Sequence, residues 1–399
     1  FFKQKTAYEI MPSLVGSEMC IRDRLYFDNS ATTPIDHDVQ SLMSDLNQNI
    51  YGNPSSIYAS GRNAKNTIEI ARRQLANAIN SEPSEIIFTG GGSEANNIVL
   101  WDMVHKKRNH VITSSIEHPA ILLVLRELEK LGVKHTIVPV DKNGLIDPDD
   151  IKKNIISDTG LISIMMANNE VGTIEPIQEI ARIAQEHDVM FHSDAIQVLG
   201  KLPIDVKKLQ LDIMSFSAHK FYGPKGVGAL YIKDGVSINP MIIGGSQEKN
   251  MRAGTENVSG IAGLGLAAEI ASNFEKENFS HLLELENYFK ELIIDKHNDI
   301  TFNGFDNNKL PGLVNLTIPN IPSDLLLINL DNDGISISNG SACSSGTISP
   351  SPVLKAMGLS DKSNLESVRI SAGKYNTMDE VNKLVDSIHS SIVTIRKNT

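Results

Sequence analysis

Between Asp36 and about Asn273 the chain alternates two hydrophobic periods, and that alternation excludes most architectures at once. Short β-branched runs bounded by turn residues fall at Glu85–Thr89, His110–Thr113, Val133–Val138, Leu161–Met166 and Val189–His192. Helical stretches lie before and between them, at Ser60–Ile79, Ser93–His105, Pro119–Leu131 and Ile177–Glu186. In the first of these, Ala64, Ile68, Ala71, Leu75 and Ile79 form one apolar stripe of helical period. Strands so uniformly apolar are covered on both faces, so the pattern predicts an α/β fold built on a mainly parallel sheet with helices on both sides. Val227–Ile232 reads as an antiparallel hairpin strand near the edge of that sheet.

After Asn273 the pattern changes to a smaller α+β unit. A charged helix, Phe279–Lys296, leads to strands at Gly312–Ile318 and Gly334–Ser338 with a helix at Asp324–Leu330 between them. A strand at Ser367–Ser371 and a helix from Thr377 close it. The expected organisation is a large domain over 40–273 and a small one over 274–399, which suits a chain of 399 residues, too long for one ordinary core. The net charge of -11 argues against wrapping nucleic acid. No apolar run approaches the roughly 20 residues of a membrane span. Two cysteines cannot build a disulfide framework, which fits a cytoplasmic protein.

Three places carry groups suited to chemistry. Lys220 comes after the apolar run Asp212–Phe216 and sits in Ser217-Ala218-His219-Lys220, ahead of Gly223-Pro224-Lys225-Gly226. Desolvation and neighbouring cations would free the lone pair of such an amine for covalent work on a carbonyl; the ordinary alternative is a surface lysine in a Gly-Pro turn. Gly90-Gly91-Gly92-Ser93 ends a strand and opens a helix, an arrangement that suits a phosphate, or else a plain turn capped by Ser93. Asp194 ends another strand at the carboxyl edge of the sheet, where it either faces a ligand crevice or caps the next helix. Beside a lysine anchor, such an acid is what keeps the pyridine nitrogen of pyridoxal phosphate protonated.

These segments resemble the group I cysteine desulfurases of iron–sulfur cluster assembly, a branch of the class V aminotransferase superfamily. The matching blocks include Tyr26–Pro34, Gly52–Ser56, Phe88–Gly91, Glu117-His118, Ala167–Gly172, His192–Gln197, Ser215–Gly226, Met251–Glu256 and Ser341–Gly346, in the family's order. The resemblance implies the fold-type I pyridoxal 5'-phosphate-dependent architecture, with residues 25–39 packing against the small domain and a loop over 338–351 carrying Cys343. It implies Lys220 as the covalent cofactor anchor and proton carrier, Asp194 on the pyridine nitrogen and Gln197 on the ring hydroxyl. Gly92, Ser93, Ser217 and His219 would hold the phosphate, with Thr255 reaching the phosphate of a partner subunit in a homodimer. His118 would stack over the ring and take part in acid–base steps, while Asn169 and Arg369 would orient the substrate carboxylate. Gly92-Ser93 stands where the family often has Ala-Thr.

Cys343 lies in a stretch of small polar residues, Ser338–Ser351, too rich in Ser and Gly to pack as a core. Taken alone it is an inert cysteine or a reactive one. The resemblance makes it the thiol that takes sulfur from L-cysteine, leaving alanine and a persulfide for an iron–sulfur scaffold or another acceptor, transfer-RNA thiolation included. No resident metal is implied beyond a cluster that Cys343 shares in passing with the scaffold. A selenocysteine lyase or a class V aminotransferase is the alternative enzyme; a sulfur-relay protein that lost catalysis fits worst, since Lys220, Asp194, His118 and Arg369 are all in place.

The first residues need separate treatment. Lys3–Ile10 and Leu14–Asp23 read as translations of two sequencing-library adapters in the right order. Residues 1–24 are therefore expected to be an assembly artefact, excluded from fold reasoning, with Cys20 not native. Resequencing the locus checks this: genomic DNA that encodes Lys3–Asp23 in frame would overturn it.

Overall fold

The computed structural model describes residues 24–340 and 349–398. A short strand β1 (Leu25–Tyr26) precedes a seven-stranded sheet. That sheet is built from β2 (Ile86–Thr89), β3 (His110–Ser114), β4 (Lys134–Val138), β5 (Thr159–Ser163), β6 (Met190–Asp194), β7 (Ile213–Ser217) and β8 (Gly228–Ile232). Their spatial order is β2-β8-β7-β6-β5-β3-β4. The pairs from β7 to β4 are parallel, and β8 alone is antiparallel to both neighbours, β7 and β2. The expected antiparallel strand is therefore present one place inside the edge, with β2 outside it.

That inserted strand decides where Lys220 goes. Parallel neighbours need a long crossover, whereas antiparallel ones are joined by a short turn. The chain leaves β7 and turns straight back through residues 218–227 into β8. The connection is fastened by Gly223 N–H to Ala218 O at 2.9 Å and Ala218 N–H to Val227 O at 3.1 Å. Tyr222 takes a left-handed φ of 67° there, with its hydroxyl accepting from Lys374 N–H at 2.7 Å. Lys220 is thereby held at the carboxyl edge of the sheet.

Helices cover both faces. Ala59–Ala78 packs on Val258–Asn273, and the glycines of the second helix explain the closeness. A Cβ on Gly265 would stand 2.5 Å from Ala71 Cα, and one on Gly263 2.8 Å from Met43 Sδ. The apolar, glycine-rich run at Ile261–Ala271 is thus a helix–helix contact face. Among the described residues no helix is long and apolar enough to cross a membrane.

A second core lies around β10 (Leu313–Thr317), flanked by β9 (Thr301–Asn303) and β12 (Ser367–Ser371), all antiparallel. Helices Glu275–Lys296 and Met378–Asn398 close over it. β1 pairs in parallel with β11 (Ile335–Ser336), and Asp28 bridges to Ser371, so the first described residues belong to this unit by their backbone. By side chain and carbonyl they reach equally into the large sheet, at Gln197, His219 and Lys220.

Under the carboxyl edge, fully buried His192 on β6 ties three strands together. Its Nδ1 meets Ser163 Oγ on β5 and its Nε2 meets Ser215 Oγ on β7, each at 2.9 Å. Burial pulls its pKa from 6.5 down to about 3, so the ring is neutral, with one nitrogen donating and the other accepting between the two hydroxyls. The unfolded state then binds more protons, so this contribution is complete above pH 6.5 and is lost as pH falls towards 3. Urea denaturation at pH 7 and pH 5 checks the expectation that His192 removes about 2 kcal/mol of stability over that step. A His192→Asn variant should lose most of that pH dependence.

Candidate active site

Five elements deliver their ends to one crevice at the carboxyl edge of the large sheet: the turn after β2, the start of the helix after β3, the ends of β6 and β7, and the N-terminal segment. Brought together there are Lys220, His219, Ser217, Asp194, Gln197, His118 and the Gly90–Ser93 turn; Arg369 and Asn169 reach it from the small-domain side.

The glycine turn is shaped for an anion. The helix Gly92–Asp102 starts at Gly91 (φ 147°) with no side-chain cap, so its first N–H groups are not taken up by Ser93. A Cβ on Gly92 would lie 2.2 Å from Ile196 Cδ1 and 3.3 Å from Ser217 Cβ, which is how the helix start approaches the ends of β6 and β7. Ser93 is exposed at the rim. Glu94 turns back to accept from Gly90 N–H at 3.0 Å and pairs with Arg252 Nε at 2.8 Å. Arg252 so docks the segment carrying Thr255, itself exposed, beside the turn.

Asp194 is buried. Its Oδ2 accepts from Asn96 Nδ2 at 2.7 Å and its Oδ1 from Ile196 N–H at 3.0 Å. No helix comes directly after it to be capped; it holds a local turn, and burial pushes its pKa up. A carboxyl group in that state is poised for a cationic partner. Asn96 lies one helical turn beyond Gly92, and that spacing is the only trace its role leaves in the sequence.

His118 is itself the cap of the helix Pro119–Glu129. Its Nδ1 accepts from Ala120 N–H at 3.1 Å, so the proton of the neutral ring is on Nε2. Burial, and to a lesser degree the charge of Lys220, lower its pKa; Asp194 works in the opposite direction. Beside it Glu117 is fully enclosed, accepting from Ser114 Oγ at 2.7 Å and Met165 N–H at 2.9 Å, with its pKa raised well above the ordinary value by burial. His219 Nδ1 meets Thr32 Oγ1 at 3.1 Å, and burial lowers its pKa to about 4.

Lys220 Nζ donates to the carbonyls of Ser30 at 2.6 Å and Ala31 at 2.7 Å. Gln197 Nε2 donates to the same Ser30 carbonyl at 2.9 Å. Such contacts to backbone oxygen leave no mark in a sequence. Arg369, 2% exposed, gives Nη1 to Asn169 O at 2.9 Å and Nη2 to Asp28 Oδ1 at 2.6 Å, while its Nε has no partner. Asp28 stands 341 residues away in sequence, so pattern alone could not pair them. Next to Asn169, buried Glu170 accepts from Ser351 Oγ at 2.5 Å, and a Cβ on Gly340 would come within 2.7 Å of its Oε2. Cys343 lies outside the described residues. No group of three or more metal-ligating side chains occurs among the described residues.

The crevice fits a phosphorylated, carbonyl-bearing pyridine: an uncapped helix start for the phosphate, an amine for the carbonyl, a buried acid for the ring nitrogen. Buried Ser30 Oγ and Asn96 Oδ1, on residues that touch Lys220 and Asp194, have no partner of their own. Asp28→Ala, which strands a buried guanidinium charge, should cost about 3–5 kcal/mol in urea denaturation. Asp28→Asn, which keeps an acceptor, should cost less.

The class-V aminotransferase family model matches residues 25–384. Cysteine desulfurase IscS of Dictyoglomus turgidum is 45% identical over 379 residues, covering 94% of this chain and 96% of that protein. The IscS of Methanosarcina thermophila is 44% identical, with 93% of each covered. A solved NifS-like protein superposes with a TM-score of 0.88 at 37% identity, covering 93% of this chain and all of that one. A structure of SspA in complex with cysteine gives 0.76 at 35% identity, over 88% of this chain and 100% of that one. With its sheet order, its lysine turn and nearly its whole length accounted for by these relatives, the chain belongs to the class-V aminotransferase family, in the branch of the cysteine desulfurases.

Proposed function

We propose that this protein is a pyridoxal 5'-phosphate-dependent cysteine desulfurase that takes sulfur from L-cysteine, yields L-alanine and carries the sulfur away on Cys343. The observation that carries this reading is the meeting of Lys220, Asp194, His118 and the uncapped Gly91 helix start in one crevice, with Arg369 at its mouth.

Gly92, Ser93, Ser217 and His219 would hold the cofactor phosphate, Asp194 the ring nitrogen and Gln197 the ring oxygen. The cofactor supplies an electron sink for the bonds at the substrate α-carbon. Arg369, fixed by Asp28 and the Asn169 carbonyl, orients the substrate carboxylate together with Asn169. Lys220 Nζ would accept the substrate α-proton. His118, neutral and protonated at Nε2, offers a proton to a leaving or developing anion at neutral pH. The Cys343 thiolate would form a bond to the substrate sulfur as the C–S bond breaks with its electron pair left on the β-carbon; a proton delivered to that carbon and return of the α-proton by Lys220 would complete alanine. The persulfide then passes to an iron–sulfur scaffold or another acceptor protein.

A homodimer fits this reading. Tyr51, Ile57 and Ile243 are 86%, 90% and 86% exposed, more apolar surface than a lone chain gains from leaving in water, and Thr255 is exposed beside the phosphate turn. A second copy covering these residues would bring its own Thr255 towards the neighbouring phosphate. A thiol that must return to its reduced form after each turnover suits a cytoplasmic setting.

Purified protein with pyridoxal phosphate should be yellow and release alanine and sulfide from L-cysteine. Cys343→Ala should keep the colour and lose alanine release; Lys220→Ala should lose both. His118→Gln should lower turnover by about a hundredfold with the colour retained. A yellow wild-type protein that makes no alanine would refute the desulfurase assignment.

A further inference from the structure

Lys201 is a half-buried lysine that none of these steps uses. It comes one turn after β6, in Gln197-Val198-Leu199-Gly200-Lys201, with its backbone N–H on Val198 O at 2.9 Å. Its Nζ points back to Gln197 Oε1 at 3.5 Å. The same side chain borders a cavity of about 20 Å³, room for one water, which Lys220 borders as well. Asp36 also lines that cavity, but its carboxylate is taken by Lys374 and by Tyr375 Oη. The charges that act on Lys201 are those of Lys220 and Arg369, both cations. Burial first, then these two, lower its pKa to about 7. An ammonium so placed, with a neutral amide oxygen as partner, costs stability that a methionine would not. Its position therefore calls for a use.

We propose that Lys201 is a positioning residue of the cofactor site, which orients the Gln197 amide and, by its charge, weakens proton binding at the nitrogen contributed by Lys220. The amide has one orientation that suits both neighbours: Ser30 O can only accept, so Nε2 faces it, and Lys201 Nζ can only donate, so Oε1 faces that. The same orientation leaves Gln197 presenting N–H to the side where Lys220 lies. The other groups facing Lys220 divide in sign: Asp194 is acidic, whereas His118 and His219 are neutral imidazoles near neutral pH. Arg369 acts on Lys201 and Lys225 on His219, both through like charge. Lys201, whose pKa burial and these cations lower to about 7, brings a charge that is lost near neutral pH and so couples the Lys220 nitrogen to pH.

This inference rests on the cofactor assignment above, and spectrophotometric titration of the holoenzyme separates the two. The measured quantity is the midpoint pH of the cofactor's visible band, read without substrate. Lys201→Met should raise the midpoint by about one pH unit, because a repelling charge is gone. Lys201→Arg, with a permanent charge, should leave it unchanged or lower it. Should Lys201→Met not fold, Lys201→Gln replaces it with the same expected rise. A neutral variant whose midpoint matches wild type, or a rise with Lys201→Arg, overturns the proposal. A wild-type protein that takes up no pyridoxal phosphate overturns the cofactor assignment and this inference together.

Discussion

The segment Asp28–Thr33 is the point on which both halves of the molecule depend. Its backbone joins the small-domain sheet through the bridge of Asp28 to Ser371. Its carbonyls at Ser30 and Ala31 receive Lys220, Ser30 receives Gln197 too, and the Thr33 N–H donates to His219 O at 2.9 Å. Its one carboxylate, Asp28, holds Arg369. Six residues of one strap thus contact Lys220, Gln197, His219 and Arg369. Backbone carbonyls suit this work because they are fixed dipoles that bind ammonium and amide N–H without adding a charge that titrates.

Around that strap the site keeps its charges apart by origin. Groups suited to the phosphate and the ring come from the large sheet, whose β7–β8 reversal holds Lys220 in a short fastened turn. The group suited to a substrate carboxylate comes from β12 of the small sheet. His118 and His219 near the centre are held neutral by burial, and the proton of the His118 ring sits on Nε2. Asp194 is the reverse case: Asn96 and a backbone N–H favour its ionised form while burial opposes it, and a ring cation would settle the balance.

The elements legible in the sequence are those whose signal is local. The strands at Glu85–Thr89, Val189–His192 and Ser367–Ser371, and the helix Ile177–Glu186, are written in the periodicity of their own residues. Lys220, Asp194 and the Gly90–Ser93 turn are legible as well, because each combines a strand end with a distinctive residue. Asp28, Asn96 and the Ser30 carbonyl escape for different physical reasons. A backbone oxygen has no residue type, Asp28 needs a partner brought by folding, and Asn96 resembles any polar residue of a helix. The helix Val258–Asn273 is visible only as an apolar run, since its glycines lower helix propensity and are justified only by Ala71 and Met43 on the facing helices.

The pairing of Asp28 with Arg369 has a consequence for how the protein is made. The two partners are separated by 341 residues, so at ribosomal speed the first waits roughly 20–70 s for the second to emerge. During that interval Asp28–Thr33 is a strap without its partners, its backbone N–H and C=O groups open to any neighbour. The large sheet can close behind it, but the crevice stays unfinished until β12 appears. A nascent chain stalled before β12 would thus hold Lys220, Asp194 and the glycine turn without Arg369, which makes the arrival of β12, rather than completion of the large sheet, the moment at which the crevice is finished.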